Sequence, residues 1–227
     1  MQVKKEKVAT LESTQFDNII NRYPSAIQTY KLLKNYFINS EKILDYGSGN
    51  GIFLRILQKN KHNAFGWEPS EELVKSVNIF QNINNNYSDI SQINNIQFDT
   101  IISLRTFAYI PNKEEVIKIW SEKLNKNGIL ILENGNYNYW NTKYRSKTKA
   151  YPGWDINEDL KKEFAKYFEL EKKLIGCADY YHGDISDNFI KIIGKKIINS
   201  IDRFLGRYFT LFAPHYIYIS KDYIKYG

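Results

Sequence analysis

A run of glycines and small polar residues is the part of the chain best suited to bind a ligand. Residues 43–51 read Ile-Leu-Asp-Tyr-Gly-Ser-Gly-Asn-Gly, and an apolar-periodic segment follows at Ile52. This pattern predicts a strand with an acidic residue near its end, a glycine loop, and a helix that begins at once. The first N–H groups of a helix have no partner within it, and glycines let a ligand approach the backbone closely. We therefore expect a small-molecule site at this loop.

The spacing of the glycines separates two kinds of cofactor. A dinucleotide site of the G-x-G-x-x-G type would need its third glycine where this chain has Ile52. The alternating form Asp-x-Gly-x-Gly-x-Gly, from Asp45 to Gly51, resembles motif I of the class I methyltransferases that use S-adenosylmethionine. That cofactor carries no phosphate, so it needs a flat glycine shelf under its methionine and ribose and not a helix end beside a pyrophosphate.

The resemblance covers about residues 16–133 and implies a Rossmann-like α/β fold. In this family a doubly wound sheet of seven strands, mostly parallel with an antiparallel last strand, binds S-adenosylmethionine and releases S-adenosylhomocysteine. We expect a single methyltransferase domain over residues 1–227. It would consist of a cofactor-binding core (16–133), an aromatic-rich substrate lid or insertion (134–210) and a closing strand (211–227).

Hydrophobic periodicity predicts the elements that would position the glycine loop. Strands are expected over residues 42–46, 63–67, 84–88, 98–104, 129–132, 170–175 and 216–220. Helices are expected over residues 16–39 with a break at Pro24, 52–59, 71–80, 112–124, 160–168 and 187–206. A turn is expected at Asn127-Gly128. Strands that alternate with helices indicate a parallel sheet with both faces covered.

Ligands of open α/β sheets bind at the carboxyl ends of the strands, so each predicted strand end offers cofactor-binding candidates. Glu68 ends the second strand about twenty residues after the loop, where an acid can accept both ribose hydroxyls; the alternative is an acid that caps the next helix. The resemblance implies that Asp89 and Ile90 hold the adenine and that Leu104 packs beside the adenosine. It also implies that Arg22 pairs with the methionine carboxylate, which suits the forked guanidinium; the alternative is a surface arginine beside a core tyrosine. The complete set of expected cofactor residues is Arg22, Tyr23, Asp45, Gly47, Ser48, Gly49, Asn50, Gly51, Phe53, Glu68, Pro69, Asp89, Ile90, Ser103, Leu104 and Arg105.

Missing motifs narrow the choice of acceptor. Residues 103–107 read Ser-Leu-Arg-Thr-Phe, without the Asn/Asp-Pro-Pro-aromatic motif of enzymes that methylate amino groups of nucleic acids. They also lack a cysteine nucleophile and the glutamate pair of protein-arginine enzymes; the lone Cys177 is interpreted as a buried small hydrophobe. We expect methyl transfer to oxygen or nitrogen of a small polar acceptor, such as a surface-polysaccharide or cell-envelope precursor. Aromatic residues of the region after strand five suit a lid over a ring or sugar as well as plain packing: Tyr137, Tyr139, Trp140, Tyr144, Tyr151 and Trp154.

A hydroxyl acceptor would benefit from a general base. The candidates are His182, in the polar cluster 179–184, and Glu133, at the end of the fifth strand. For any one histidine a structural role is the alternative; His62 is expected at the surface and His215 in the closing strand. No cluster of residues predicts a metal site.

Composition bears on partners and location. The chain has 32 basic and 25 acidic residues and a net charge of +7, which in a lysine-rich chain favours a solvated surface, and we do not expect a nucleic-acid partner. The alternatives are an RNA methyltransferase that uses the late basic helix, a non-catalytic cofactor-binding scaffold, and a nucleotide-dependent oxidoreductase, which Ile52 disfavours. One cysteine excludes a disulfide framework, and no secretory or membrane-spanning segment is apparent, so we expect a cytoplasmic monomer or homodimer.

Overall fold

The computed structural model describes residues 26–27, 29–81, 83–136, 156–175, 197, 204 and 215–223. Its strands are β1 (Ile43–Tyr46), β2 (Ala64–Trp67), β3 (Asn86–Tyr87), β4 (Phe98–Leu104), β5 (Leu124–Gly135), β6 (Phe168–Ile175) and β7 (His215–Tyr223). Its α-helices are α1 (Ile52–Lys59), α2 (Glu71–Gln81), α3 (Lys113–Lys123) and α4 (Glu158–Ala165). An N-terminal helical segment (residues 29–37) ends in the 3-10 turn Lys34–Phe37, and further 3-10 turns cover Ile90–Ile93 and Phe107–Tyr109.

The described strands form one seven-stranded sheet in the order β3-β2-β1-β4-β5-β7-β6. Every neighbouring pair from β3 to β5 is parallel, whereas β7 runs antiparallel to both β5 and β6. This is the expected doubly wound sheet with an antiparallel last strand. The carboxyl ends of β1, β2, β4 and β5 therefore lie along one edge, which is where such sheets bind ligands.

One face of the sheet, which we call the front face, packs against the N-terminal helical segment, α1 and α2. It carries Ile43, Ile102, Ile131 and Ile217, all buried. The side chains packed on them from the three helical elements are Leu33, Phe37, Phe53, Leu54, Leu57 and Val77. Because side chains alternate along a strand, Asp45, Leu104 and Glu133 also belong to this face.

The opposite, back face packs against α3 and α4. Its strand residues are Leu44, Ile101, Leu130, Leu132, Tyr216 and Tyr218. Trp120 of α3 is fully buried between them, with its ring centroid 5.3 Å from Tyr46 and 5.4 Å from Phe107. Two separate apolar layers thus hold the sheet rigid and leave its carboxyl edge as the place for polar side chains.

Several element boundaries differ from the predicted ones. The strand over residues 98–104 is confirmed, whereas β5 extends well beyond the expected 129–132 because α3 passes directly into it at Leu124. Asn127 has the positive φ of 69° that a tight turn requires, and the pairing of β4 with β5 shifts register at this point. The helix expected over 160–168 is Glu158–Ala165, since Asn157 caps its start. The expected late helix 187–206 lies outside the described residues except for Ile197 and Phe204.

No helix within the described ranges is long and apolar enough to cross a membrane.

Candidate active site

A cleft of about 590 Å³ opens at the carboxyl ends of β1 and β4, on the front side of the sheet. Its volume falls in the range of ordinary small-molecule sites. The residues that line it are Ala26, Thr29, Asp45, Gly47, Ser48, Gly49, Asn50, Ile52, Phe53, Leu104, Arg105, Thr106 and Tyr109. The glycine loop forms the floor, and the residues that follow β4 form the opposite wall.

The glycine loop has a backbone that only glycine adopts without strain. Gly47, Gly49 and Gly51 have φ of 81°, 52° and 70°. A Cβ on Gly47 would lie 2.2 Å from Cγ2 of Thr106, and a Cβ on Gly51 would lie 2.3 Å from Cγ1 of Val77. A Cβ on Gly49 would meet nothing closer than the Gly47 carbonyl at 3.9 Å. Gly47 and Gly51 therefore allow close packing, whereas Gly49 leaves open space beside the cleft.

Asp45 is the one acid among the described residues that line the cleft. Its side chain is buried on the front face, and its Oδ2 has no hydrogen-bond partner among the described residues. Burial and the nearby negative charge of Glu68 raise the pKa of Asp45 to about 7, and a backbone hydrogen bond from Leu54 opposes this rise. A buried acceptor without a donor is costly, so this carboxyl is suited to a donor or cation that enters with a ligand.

Glu68 connects the glycine loop to the start of α2. Its Oε2 accepts a hydrogen bond from the Gly49 N–H at 3.1 Å, and its Oε1 accepts one from the Ser70 N–H at 3.3 Å. The Ser70 hydroxyl in turn accepts from the Leu73 N–H at 3.2 Å and is the cap of α2. Each carboxylate oxygen can accept a further bond, so these contacts are compatible with ribose hydroxyls as additional donors.

The structure brings half of the predicted cofactor residues to the cleft. Those that line it are Asp45, Gly47, Ser48, Gly49, Asn50, Phe53, Leu104 and Arg105. Gly51, Glu68 and Pro69 lie in the loop or beside it without lining the cleft, and Ser103 is buried on the back face. Arg22, Tyr23 and His182, as well as Cys177 and the six aromatic residues of the expected lid, lie outside the described residues.

Asp89 and Ile90 have local structural contacts. The Asp89 carboxylate accepts from the Ser91 N–H at 2.8 Å and from the Ser91 hydroxyl at 2.6 Å, so it caps the 3-10 turn that follows. These bonds lower the pKa of Asp89. Ile90 packs against the apolar layer of the back face. Their assignment to the adenine therefore stays a prediction.

Five residues that line the cleft were not predicted: Ala26, Thr29, Ile52, Thr106 and Tyr109. Thr106 matters most, because its hydroxyl donates to the Gly47 carbonyl at 3.1 Å and fixes the glycine loop against the end of β4. Its position directly after a predicted strand end was the available signal. Ala26 and Thr29 are small residues one helical turn apart, so they lie on the same side of a helix, but nothing in the sequence pairs that side with the loop.

Glu133 was expected at the end of its strand. It lies instead two residues before the end of β5, and it is fully buried. Its Oε1 lies 3.2 Å from Nδ1 of His215 and 3.5 Å from Nε of Arg105. His215 is also buried, whereas Arg105, which lines the cleft, is 42% exposed.

His62 is half-buried, with its Nε2 3.0 Å from the Tyr30 hydroxyl, and burial lowers the pKa of His62.

No group of three or more histidine, cysteine, aspartate and glutamate side chains that could hold a metal ion occurs among the described residues.

Comparisons with known proteins bear on the family and the fold of the chain. A family model described as "Methyltransferase domain" matches residues 19–172, which is more than half of the chain. No curated protein matches the sequence. Many solved structures share the fold, and several of them cover nearly the whole chain.

The first is an S-adenosylmethionine-dependent methyltransferase from Archaeoglobus fulgidus, with 17% identity and a TM-score of 0.56 over 91% of this chain and 98% of that one. A TehB-like S-adenosylmethionine-dependent methyltransferase from Corynebacterium glutamicum has 14% identity and a TM-score of 0.57, over 92% and 95% of the two chains. The plantazolicin methyltransferase BpumL, in complex with S-adenosylhomocysteine, has 16% identity and a TM-score of 0.57, over 92% and 88%. At these identities the likeness shows the fold alone. Taken with the family match and the glycine loop, it shows that the chain belongs to the class I S-adenosylmethionine-dependent methyltransferases.

Proposed function

We propose that this methyltransferase transfers a methyl group to an oxygen or nitrogen of a small polar acceptor, with S-adenosylmethionine bound in the cleft at the carboxyl ends of β1 and β4. The observation that carries the proposal is the buried Asp45 carboxyl beside the glycine loop, whose Oδ2 has no donor among the described residues. The cofactor carries an ammonium and a sulfonium, and either cation would favour the ionised form of this carboxyl.

The residues present fit the cofactor. Gly47 and Gly49 offer bare backbone to its methionine and ribose, and Glu68 lies at the loop with lone pairs that can accept ribose hydroxyls. Phe53 and Leu104 supply apolar surface to the cleft. When bound, S-adenosylmethionine supplies a methyl group activated by the positive sulfur. An acceptor held in line with the sulfur would take this methyl group, and the electrons of the carbon–sulfur bond would stay on sulfur.

The chain's contribution to this reaction is mainly alignment. Asp45 and the glycine loop would hold the cofactor, while Arg105, Thr106 and Tyr109 line the opposite wall, where an acceptor could lie against them. Tyr109 is largely exposed and offers a face to a ring or a sugar. Holding two reactants in line can account for several kcal/mol of a barrier, about 7–11 kcal/mol in the best cases.

Surface charge supports a small acceptor over RNA. Five lysines at the described helices are paired with acids within one turn: Lys75 with Glu71, Lys118 with Glu122, Lys161 with Glu158, Lys162 with Asp159 and Lys166 with Glu163. Lys113 and Lys123 of α3 donate instead to backbone carbonyls. Pairing of this kind weakens the one-sided positive potential that binds phosphates.

The test uses the purified chain, S-adenosylmethionine labelled with tritium in the methyl group, and three fractions of one bacterial extract: small molecules, RNA and protein. We expect label in the small-molecule fraction, inhibition by added S-adenosylhomocysteine, and strongly reduced transfer by an Asp45→Asn variant. Label confined to RNA would support the alternative that uses the late basic helix. No transfer to any fraction, together with intact cofactor binding, would support the non-catalytic scaffold.

A further inference from the structure

Beside the cleft, a buried acid and a buried histidine meet from two different strands. We infer that His215 is the general base that takes the proton from the acceptor, that Glu133 is the residue that positions it, and that the acceptor therefore presents a hydroxyl group. This inference rests on the proposed function and makes it more specific, because a neutral amine attacks with its own lone pair whereas a hydroxyl gains from a base.

The strand register places this pair next to the cleft. Leu104 of β4, which lines the cleft, is the register partner of Glu133 in β5, and Gly135 of β5 is the partner of His215 in β7. Glu133 and His215 both lie on the front face, as Asp45 does. Neighbouring strands are about 5 Å apart, so a front-face row runs along the carboxyl edge from Asp45 past Leu104 to Glu133 and His215.

The contacts within the pair suit an oriented base. Oε1 of Glu133 lies 3.2 Å from Nδ1 of His215, which is an ion-pair distance without the alignment of a hydrogen bond. A carboxylate this close to Nδ1 favours a proton on that nitrogen, and we assign the proton-accepting lone pair to Nε2. Nε of Arg105, 3.5 Å from the same oxygen, favours an ionised Glu133. An ionised Glu133 in turn stabilises the imidazolium that forms when His215 takes up a proton.

Burial argues against a purely structural pair. Glu133 is fully buried and the His215 side chain is 8% exposed, on a face whose other members there are Ile131, Ile217 and Ile219. A buried ion pair is commonly no more stabilising than apolar side chains of similar size, and often less so. Apolar residues at these two positions would therefore make the front face at least as stable as the polar pair does.

Among the described residues, the other charged groups on the front side of the strands around the pair include Asp45 of β1, Arg105 after β4, and Glu171 and Lys173 of β6. The Nζ of Lys173 donates to the Tyr36 hydroxyl of the N-terminal helical segment at 2.7 Å. In the proposed step the acceptor oxygen bonds to the methyl carbon, its proton passes to Nε2 of His215, and the electron pair of the carbon–sulfur bond stays on sulfur. The imidazolium then returns its proton to water.

The first test needs no acceptor. Nitrogen NMR of histidine side chains in the purified full chain, with signals assigned by comparison with His215→Gln, reports the tautomer of His215. We expect the Nδ1–H tautomer in the wild type and a lower His215 pKa in Glu133→Gln, because a negative neighbour has been removed. An Nε2–H tautomer in the wild type, or a pKa that Glu133→Gln leaves unchanged, would overturn the inference even if the proposed function stands.

The second test measures methyl transfer from labelled S-adenosylmethionine to the small-molecule extract. His215→Gln should lower the rate at saturating cofactor by roughly a hundredfold or more, with S-adenosylhomocysteine affinity unchanged within about threefold. Glu133→Gln should lower the rate less and move the acid limb of the pH profile to lower pH. His62→Gln is the matched control, since His62 contacts Tyr30 and Phe37 and not the cleft, and its rate should stay at the wild-type value.

Three results of the second test would overturn the inference. His215→Gln could keep the wild-type rate, it could lose rate and S-adenosylhomocysteine binding together, or the labelled product could carry its methyl group on nitrogen. A wild-type chain that transfers nothing to the extract would contradict the proposed function, and the histidine tautomer would still decide whether His215 is held as a base.

Discussion

Asp45 is the residue that matters most for the proposed binding of the cofactor. A buried acid whose pKa is about 7 is half protonated near neutral pH, so its charge responds to whatever enters the cleft. Neither its burial nor its proximity to Glu68 could be read from the sequence, which showed only an acid at a strand end. The perturbation is typical of binding and catalytic sites.

We predict that the affinity for S-adenosylhomocysteine rises with pH up to about 7 and then levels. The ammonium of this ligand favours the ionised carboxyl, and below pH 7 binding must first expel the proton from Asp45. The expected gain between about pH 6 and about pH 7.5 is roughly tenfold, measured by equilibrium dialysis of labelled ligand. Asp45→Asn cannot titrate, so its weaker affinity should not change with pH over this range. An affinity that is flat or falls with pH in the wild type would contradict this role.

Alanine substitutions at Gly47 and at Gly49 should differ in how much they destabilise the fold. Gly47→Ala and Gly49→Ala both place a side chain at positive φ, which costs about 1–2 kcal/mol. Only Gly47→Ala also drives a Cβ into Thr106, whereas the space beside Gly49 is open. Urea unfolding should therefore show a free energy of unfolding lower for Gly47→Ala than for Gly49→Ala by about 1–3 kcal/mol. Equal losses would mean that Thr106 moves aside without cost.

At the scale of elements, the sequence predicted strands best where burial is complete on both faces. The apolar run over residues 98–104 could be assigned because both of its faces are covered. β3 is shorter than predicted, with only two residues, and its polar sequence gave a weak signal. Its Asn86 is buried, and Oδ1 accepts a hydrogen bond from the Ser48 hydroxyl at 2.8 Å, a contact with the glycine loop that propensity does not reveal.

The start of α4 shows how a cap determined a boundary that periodicity missed. Asn157 has an extended backbone, and its Oδ1 accepts from the Leu160 N–H at 2.9 Å. We predict that Asn157→Ala lowers the free energy of unfolding by about 1 kcal/mol and Tm by about 2–4 °C, whereas Asn157→Asp, which keeps the acceptor, stays close to the wild type. Thermal unfolding followed by circular dichroism measures this difference. If the aspartate variant were as unstable as the alanine variant, the side-chain acceptor would not be what begins the helix.

At the scale of the whole molecule, the strand order explains both the success and the limit of prediction from sequence. The glycine loop, the acid that leads it and the alternation of strands with helices were sufficient for the fold and the family, because each is a local pattern. The site also needs contacts between distant parts of the chain, such as Thr106 on Gly47 and His215 on Glu133. The first contact depends on β1 and β4 being neighbours in the sheet, and the second depends on β7 lying between β5 and β6; no local pattern specifies either arrangement.

The same strand order places the proposed cofactor site and the proposed general base at neighbouring positions. The cleft lies over β1 and β4, and the Glu133–His215 pair lies over β5 and β7 on the same face. The back face, with Trp120 and its aromatic neighbours, packs the sheet from the other side. The polar groups of the cleft wall come from the glycine loop and from the residues that follow β4. A cofactor site and an acceptor site can therefore be separated by substitution on different strands.

The most direct test of the central claim is a calorimetric titration of the purified chain with S-adenosylhomocysteine, with NAD as the control ligand. We predict one site per chain, a Kd in the micromolar range and no heat of binding with NAD. Asp45→Asn should weaken this binding without unfolding the chain. Binding of NAD in place of S-adenosylhomocysteine, or the absence of any S-adenosylhomocysteine binding by a folded chain, would contradict the assignment of the cleft.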